Sequence, residues 1–199
     1  MPRFVLAAAL LILCNGSAFA ASTLCASPEQ AAKVQALYAT APVPPTFMAA
    51  TKLGIPEALV ASAISGKQVV GTTGAGFEAV WKSLQEWADA TVVVLKAGDV
   101  FEIHGRIPAG APSAKSQFFN LEQDGAGLGG HLRPDLVGAI YAVDLVGAQG
   151  PLRGLTFIDS AGEGIFGVYL PEGADPKPAL VAQFEKTRAL IAALPRACS

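Results

Sequence analysis

From Thr91 onward the chain divides into β-branched and aromatic runs separated by turn residues, and this rhythm limits its fold more than any other feature. The runs are Thr91 to Leu95, Asp99 to Ile107, Gln117 to Leu121, Val137 to Val146, Leu152 to Asp159 and Gly164 to Leu170. Pro108-Ala109-Gly110, Asp124-Gly125, Gly150-Pro151 and Gly162-Glu163-Gly164 supply turns between them, because glycine accepts positive φ and proline presets the first turn position. Runs of this length at this spacing predict an antiparallel sheet.

The flanking segments carry a different period. Ser27-Pro28-Glu29-Gln30 is a helix start, with Ser27 able to cap, Pro28 suited to the first turn and Gln30 able to reach back to the Ser27 amide. That helix is expected to run to about Ala39, followed by a Pro-rich stretch from Ala41 to Pro45. Thr46 to Leu53 and Pro56 to Ile64 read as two short helices broken at Gly54. Although the pair resembles a helix-turn-helix, the second member has no Arg or Lys between Pro56 and Ser65, so its faces serve packing. Phe77, Val80, Trp81, Leu84 and Trp87 recur at helical spacing and mark an amphipathic helix with a core face. A closing helix from about Ala179 to Leu194 gathers Leu180, Phe184, Leu190 and Ile191 near one face. N-terminal helices, a sheet and a C-terminal helix make an α+β fold.

The first twenty residues are read as an export signal. Arg3 opens it, Phe4 to Leu13 forms an apolar run, and Ala18-Phe19-Ala20 precedes the expected cut. The run is too short for a membrane-spanning helix of roughly 20 residues. Removing Arg3 from 14 basic residues leaves 13 against 16 acidic ones, a net charge of −3 with no basic cluster. Such a surface excludes nucleic acid as a natural partner. Charged residues make up 15% of the chain, below the usual value of about 25%. The expected compartment is the periplasm or the exterior. Cys14 leaves with the signal, so Cys25 and Cys198 remain, one at each end. An even count in an exported chain favours a Cys25–Cys198 disulfide over two unpaired terminal thiols.

Several chemistries lack their parts. Gly125-Ala126-Gly127-Leu128-Gly129-Gly130 matches the dinucleotide fingerprint formally, but His131, Arg133 and Pro134 do not open the helix that pattern needs. There is no Gly-x-Ser-x-Gly elbow and no histidine pair at metalloprotease spacing. Asp159 and Glu163 flank a turn, as solvated acidic residues do. The chain has two histidines, His104 on a predicted strand and His131 after the glycine loop. A neutral imidazole is a common axial ligand of heme iron, a glycine loop admits a flat macrocycle close to backbone, and Arg133 is placed to pair with a propionate. A loop histidine is equally a hydrogen-bonded surface residue, and the residues alone leave both readings open.

Four pieces in order resemble the heme-utilisation carrier family, the HutX/ChuX-like proteins. They are Phe77-Glu78-Ala79-Val80-Trp81 with Glu86-Trp87; Glu102-Ile103-His104-Gly105-Arg106-Ile107-Pro108-Ala109-Gly110; Phe118-Phe119-Asn120-Leu121; and Gly129-Gly130-His131. The resemblance runs from about Lys52 to Leu194. It implies a curved antiparallel sheet, a homodimer, heme as ligand, and His131 at the iron, with Arg133 and then His104 as further heme-binding candidates. The other histidine of the family falls here on Leu95, which cannot ligate a metal. The organisation expected is an export signal over 1–20, a helix and Pro-rich linker over 21–50, and a heme-carrier-like α+β domain over 51–199. The function expected is a periplasmic heme carrier or buffer that does not insert stably in a membrane. The alternatives are a binding module for another apolar molecule and a heme-modifying enzyme.

Overall fold

The computed structural model describes residues 23–66, 68–96, 98–122, 127–171 and 177–198. The stretch read as an export signal, residues 1–20, and two residues of the glycine loop, Gly125 and Ala126, lie outside them. Three helices come first: α1 (Pro28–Leu37), α2 (Thr46–Leu53) and α3 (Glu57–Ala63). Ser27 and Gln30 form the expected capping box at the start of α1. Strand β1 (Val69–Thr73) then leads into α4 (Phe77–Leu84), and α5 (Pro178–Ala193) closes the chain. Between them lie β2 (Ala90–Lys96), β3 (Asp99–Gly105), β4 (Gly110–Pro112), β5 (Phe119–Leu121), β6 (Gly130–Leu132), β7 (Val137–Gly147), β8 (Gly150–Asp159) and β9 (Gly164–Tyr169).

These strands form a six-stranded antiparallel sheet, ordered β1-β7-β8-β9-β2-β3, and a three-stranded one, ordered β4-β5-β6. Bulges in β7, at Gly138, and in β9, at Ile165, shift the register of both strands against β8, and extra residues of this kind bend a strand. The α+β plan of helices, antiparallel sheet and closing helix is the one the sequence predicts. The sequence reading missed three strands, however. Gly110, read as a turn residue, begins β4, and His131, read as a loop residue, sits on β6. Both strands are three residues long, too short to show alternation.

The large sheet separates two cores. On one side Phe77, Val80, Trp81 and Leu84 of α4 and Leu180, Phe184 and Ile191 of α5 pack against Val92, Ile140, Leu155, Phe157 and Val168. The small sheet joins this side through Phe119 and Leu121. Trp87 donates to Thr187 Oγ1 at 3.0 Å and Trp81 to the Pro108 carbonyl at 3.1 Å, so neither buried indole N–H is left unpaired. On the other side α3 meets Tyr141, Val143, Ile158 and Tyr169. Tyr169 can lie flat there because Gly154 and Gly167 are beneath it; an added Cβ would come within 2.2 and 2.3 Å of its ring.

Both ends of the chain are fastened to this frame. Cys25 and Cys198 are bonded, with Cα atoms 5.7 Å apart and 173 positions between them in sequence. Thr73 N–H donates to the Pro195 carbonyl, and Ala26 N–H to Ser62 Oγ. Among the described residues no helix is long and apolar enough to cross a membrane.

Candidate functional site

The alternation of a strand places the first candidate. Phe119 and Leu121 point into the core, so Asn120 between them points outward, and its cross-strand partner is His131. Asn120 Oδ1 lies 2.8 Å from His131 Nδ1. A carboxamide oxygen only accepts, so Nδ1 carries the proton and a neutral ring keeps the lone pair on Nε2. An outer hydrogen bond that sets the tautomer and aims the other nitrogen is the usual support of a metal-ligating histidine.

Two side chains frame that imidazole. The Phe118 ring, 40% exposed, has its centroid 5.6 Å from that of His131. Arg133 places its guanidinium carbon 5.9 Å from the Phe118 centroid. The guanidinium also forms a two-point pair with Asp135, Nε to Oδ1 at 2.8 Å and Nη2 to Oδ2 at 2.6 Å. The Arg133 hydrogen bond lowers the Asp135 carboxyl below its ordinary range, and the same bond raises Arg133 further. Nη1 takes no part in that pair. Arg133 further borders an open groove of about 320 Å³ whose other walls include Phe77, Leu132, Leu136, Ile165 and Phe166. That volume is near the lower end for a small-molecule site. His131 is outside the groove, on the exposed face of the small sheet, and Arg133 connects the two.

His104 is elsewhere. It lies on β3, an edge strand, where its Nδ1 is 3.0 Å from Thr91 Oγ1 and its side chain is 67% exposed. The register pairs Thr91 with both His104 and Tyr169. His104 therefore shares the α3 face of the large sheet, whereas the small sheet with His131 covers the opposite face. Leu95 is on the His104 side as well, beside Val93 and Tyr169. The sheet stands between the two candidates, so one ligand cannot reach both within a single chain. Among the described residues no group of three or more His, Cys, Asp or Glu side chains gathers to hold a metal ion.

Two residues of consequence escaped the sequence reading. Asn120 belongs to one of the recognised pieces, but only the β5–β6 register shows that it holds His131. Glu57 looks like an ordinary acidic residue in a first helical turn, yet it is 4% exposed and accepts from Thr46 Oγ1 at 2.6 Å and Thr156 Oγ1 at 3.0 Å. Burial pushes its carboxyl pKa up, more than those two hydrogen bonds bring it down.

Comparison with known proteins bears on the fold and the family. A curated relative, the intracellular heme transport protein HutX of Vibrio cholerae, is 26% identical over 136 residues, 67% of each chain. The solved structure of the heme-binding protein ChuX superposes with a TM-score of 0.69 at 19% identity, covering 79% of this chain and 97% of its own. Holo-PhuS, a heme-binding protein from Pseudomonas aeruginosa, gives a TM-score of 0.64 at 23% identity over 84% of this chain and 47% of its own. At these identities the two structures establish the shared fold alone. The model of the haem utilisation ChuX/HutX family matches residues 70–187, from β1 through most of α5 and over more than half of the chain, and the protein belongs to that family.

Proposed function

We propose that this protein binds heme with His131 as the axial ligand of the iron and acts, outside the cytoplasm, as a heme carrier or buffer. The observation that carries the reading is the Asn120–His131 hydrogen bond, which leaves Nε2 as the open coordinating atom on an exposed face. Phe118 beside the ring offers an aromatic surface to a porphyrin, and Nη1 of Arg133 is available to a propionate. Family membership supports heme as the ligand, and the relative from Vibrio cholerae is described as a heme transport protein.

Two finer points belong to the same proposal. The relative is described as intracellular, whereas Arg3, the apolar run and Ala18-Phe19-Ala20 motivate export for this chain. A homodimer is motivated by β3, which pairs only with β2 and exposes Val100, Phe101 and Ile103. An open edge with an apolar row favours a second copy over solvent. Leu95 favours a second reading, a carrier of another apolar ligand, since it cannot ligate iron.

The test is a hemin titration followed by absorbance, wild type beside His131→Ala and His104→Ala. Saturable binding that weakens about tenfold or more in His131→Ala alone is the expected result. Absence of specific binding by the wild type sinks the heme reading and leaves the fold and the family as they are. Fractionation of cells making the full chain, with sequencing of the mature N-terminus, tests the export step.

A further inference from the structure

We propose that the cavity at the β1 edge of the large sheet, beside the Cys25–Cys198 disulfide, is a second ligand site that takes a small monocarboxylate with a compact apolar body. It goes beyond the heme reading and uses none of its groups, since Leu95, His104, His131 and Arg133 do not line it. Of its walls, Ser65 precedes and Arg196 and Cys198 follow the stretch that the family model matches.

The C-terminal tail builds one wall. It runs antiparallel beside β1, with Thr73 N–H donating to the Pro195 carbonyl, Ala197 N–H donating to the Gly71 carbonyl, and Arg196 opposite Thr72. The disulfide then fixes Cys198. Arg196 is therefore carried on a tethered strand rather than on a free end. On β7 the Tyr141 ring lies against Gly71, where an added Cβ would come within 2.3 Å of it. With Ser65, Val69, Val70 and Ala192 these residues border a cavity of about 220 Å³.

Two hydrogen-bond donors on this cavity are poorly used. Tyr141 is 1% exposed, and its hydroxyl has one partner among the described residues, Cys198 Sγ at 3.7 Å. A disulfide sulfur carries no proton, so the tyrosine donates, and to a weak acceptor. Buried tyrosine hydroxyls normally find a stronger one. Arg196 is exposed and makes no ion pair among the described residues, and no Asp or Glu lines the cavity. A guanidinium fork binds a carboxylate at two points, and a phenol O–H adds a neutral donor. One cation balances one negative charge, which selects a monoanion over phosphate. The volume lies below the usual minimum of about 300 Å³ for small-molecule pockets, so the body is a single ring or a short chain. Val69, Val70 and Ala192 supply its apolar contact.

Calorimetry of the disulfide-bonded protein with benzoate, benzamide and inorganic phosphate tests the assignment. Benzoate should bind saturably, one per chain, and the neutral amide and phosphate at least about fivefold more weakly. Arg196→Gln changes an exposed side chain and should lower benzoate affinity at least about tenfold. Tyr141→Phe keeps the buried ring and should lower it about threefold. Both variants should titrate with hemin as the wild type does, which separates this site from His131. Benzamide or phosphate binding as tight as benzoate, indifference to Arg196→Gln, or no saturable binding of either benzoate or butyrate would each overturn the proposal; the last result means that the tail and its disulfide serve packing alone.

Discussion

Replacing both Cys25 and Cys198 with serine removes the covalent link between the ends, and its cost can be worked from the length of the loop it closes. The bonded residues are 173 positions apart. In the chain-entropy treatment, a loop of that size removes about 5 kcal/mol worth of disorder from the unfolded chain at 25 °C. The folded side should change little, since Thr73 N–H to Pro195 O, Thr72 Oγ1 to Pro195 O and Ala26 N–H to Ser62 Oγ hold the same ends without the sulfurs. Measured losses usually fall below the entropic figure, so the double serine variant is expected to lose about 3–5 kcal/mol. For a chain of this length that is a fall in Tm of roughly 6–20 °C, at 2–4 °C per kcal/mol. Urea denaturation of oxidised wild type and double variant provides the comparison, and the variant should also show a larger m-value because its unfolded chain is less compact. A difference under about 1 kcal/mol would refute the reasoning, meaning that the unfolded chain holds its ends together without the bond.

Asn120→Leu should leave the unfolding free energy within about 0.5 kcal/mol of wild type, because both partners are exposed, yet weaken hemin binding by roughly 10–100-fold by releasing the imidazole; the titration that tests His131→Ala measures it. Phe157→Ala opens a cavity among Phe77, Trp81 and Phe166, whose ring centroids lie 5.8, 6.5 and 4.4 Å away, and should cost about 3–5 kcal/mol in chemical denaturation. Glu57 has a folded pKa above its ordinary 4.5, so its contribution to stability is complete below that pH and is lost as pH rises through the folded value. Stability curves measured from pH 4 upward should therefore decline in the wild type, and Glu57→Gln should flatten this decline.

What the sequence disclosed depended on how local each cause is. The α4 face, the capping box of α1 and the long strands β7 and β8 announce themselves through period or through neighbours three and four residues apart. β1 was missed because Val69-Val70-Gly71-Thr72-Thr73 is short and its register is with Val143 to Ala139, some seventy residues on. The same distinction runs through the site. His131 stood out because the chain has two histidines, but its support from Asn120 exists only once β5 and β6 pair. The burial of Glu57 is set by Thr156, 99 positions away, and no pattern around Glu57 signals it. Likewise, the separation of His104 from His131 is a property of sheet faces, decided by pairing rather than by spacing.

The large sheet also acts as a wall between two layers that can change separately. The part that matches the family begins at residue 70, so it takes in the sheet, α4, the small sheet and most of α5, while α1, α2 and α3 precede it. The layer that covers Tyr169 and supplies Glu57 thus precedes the stretch that the family model matches, although the superposition with ChuX, over 79% of this chain, reaches beyond that stretch. Substitutions there can reshape one side of the wall without disturbing Asn120 and His131 on the other.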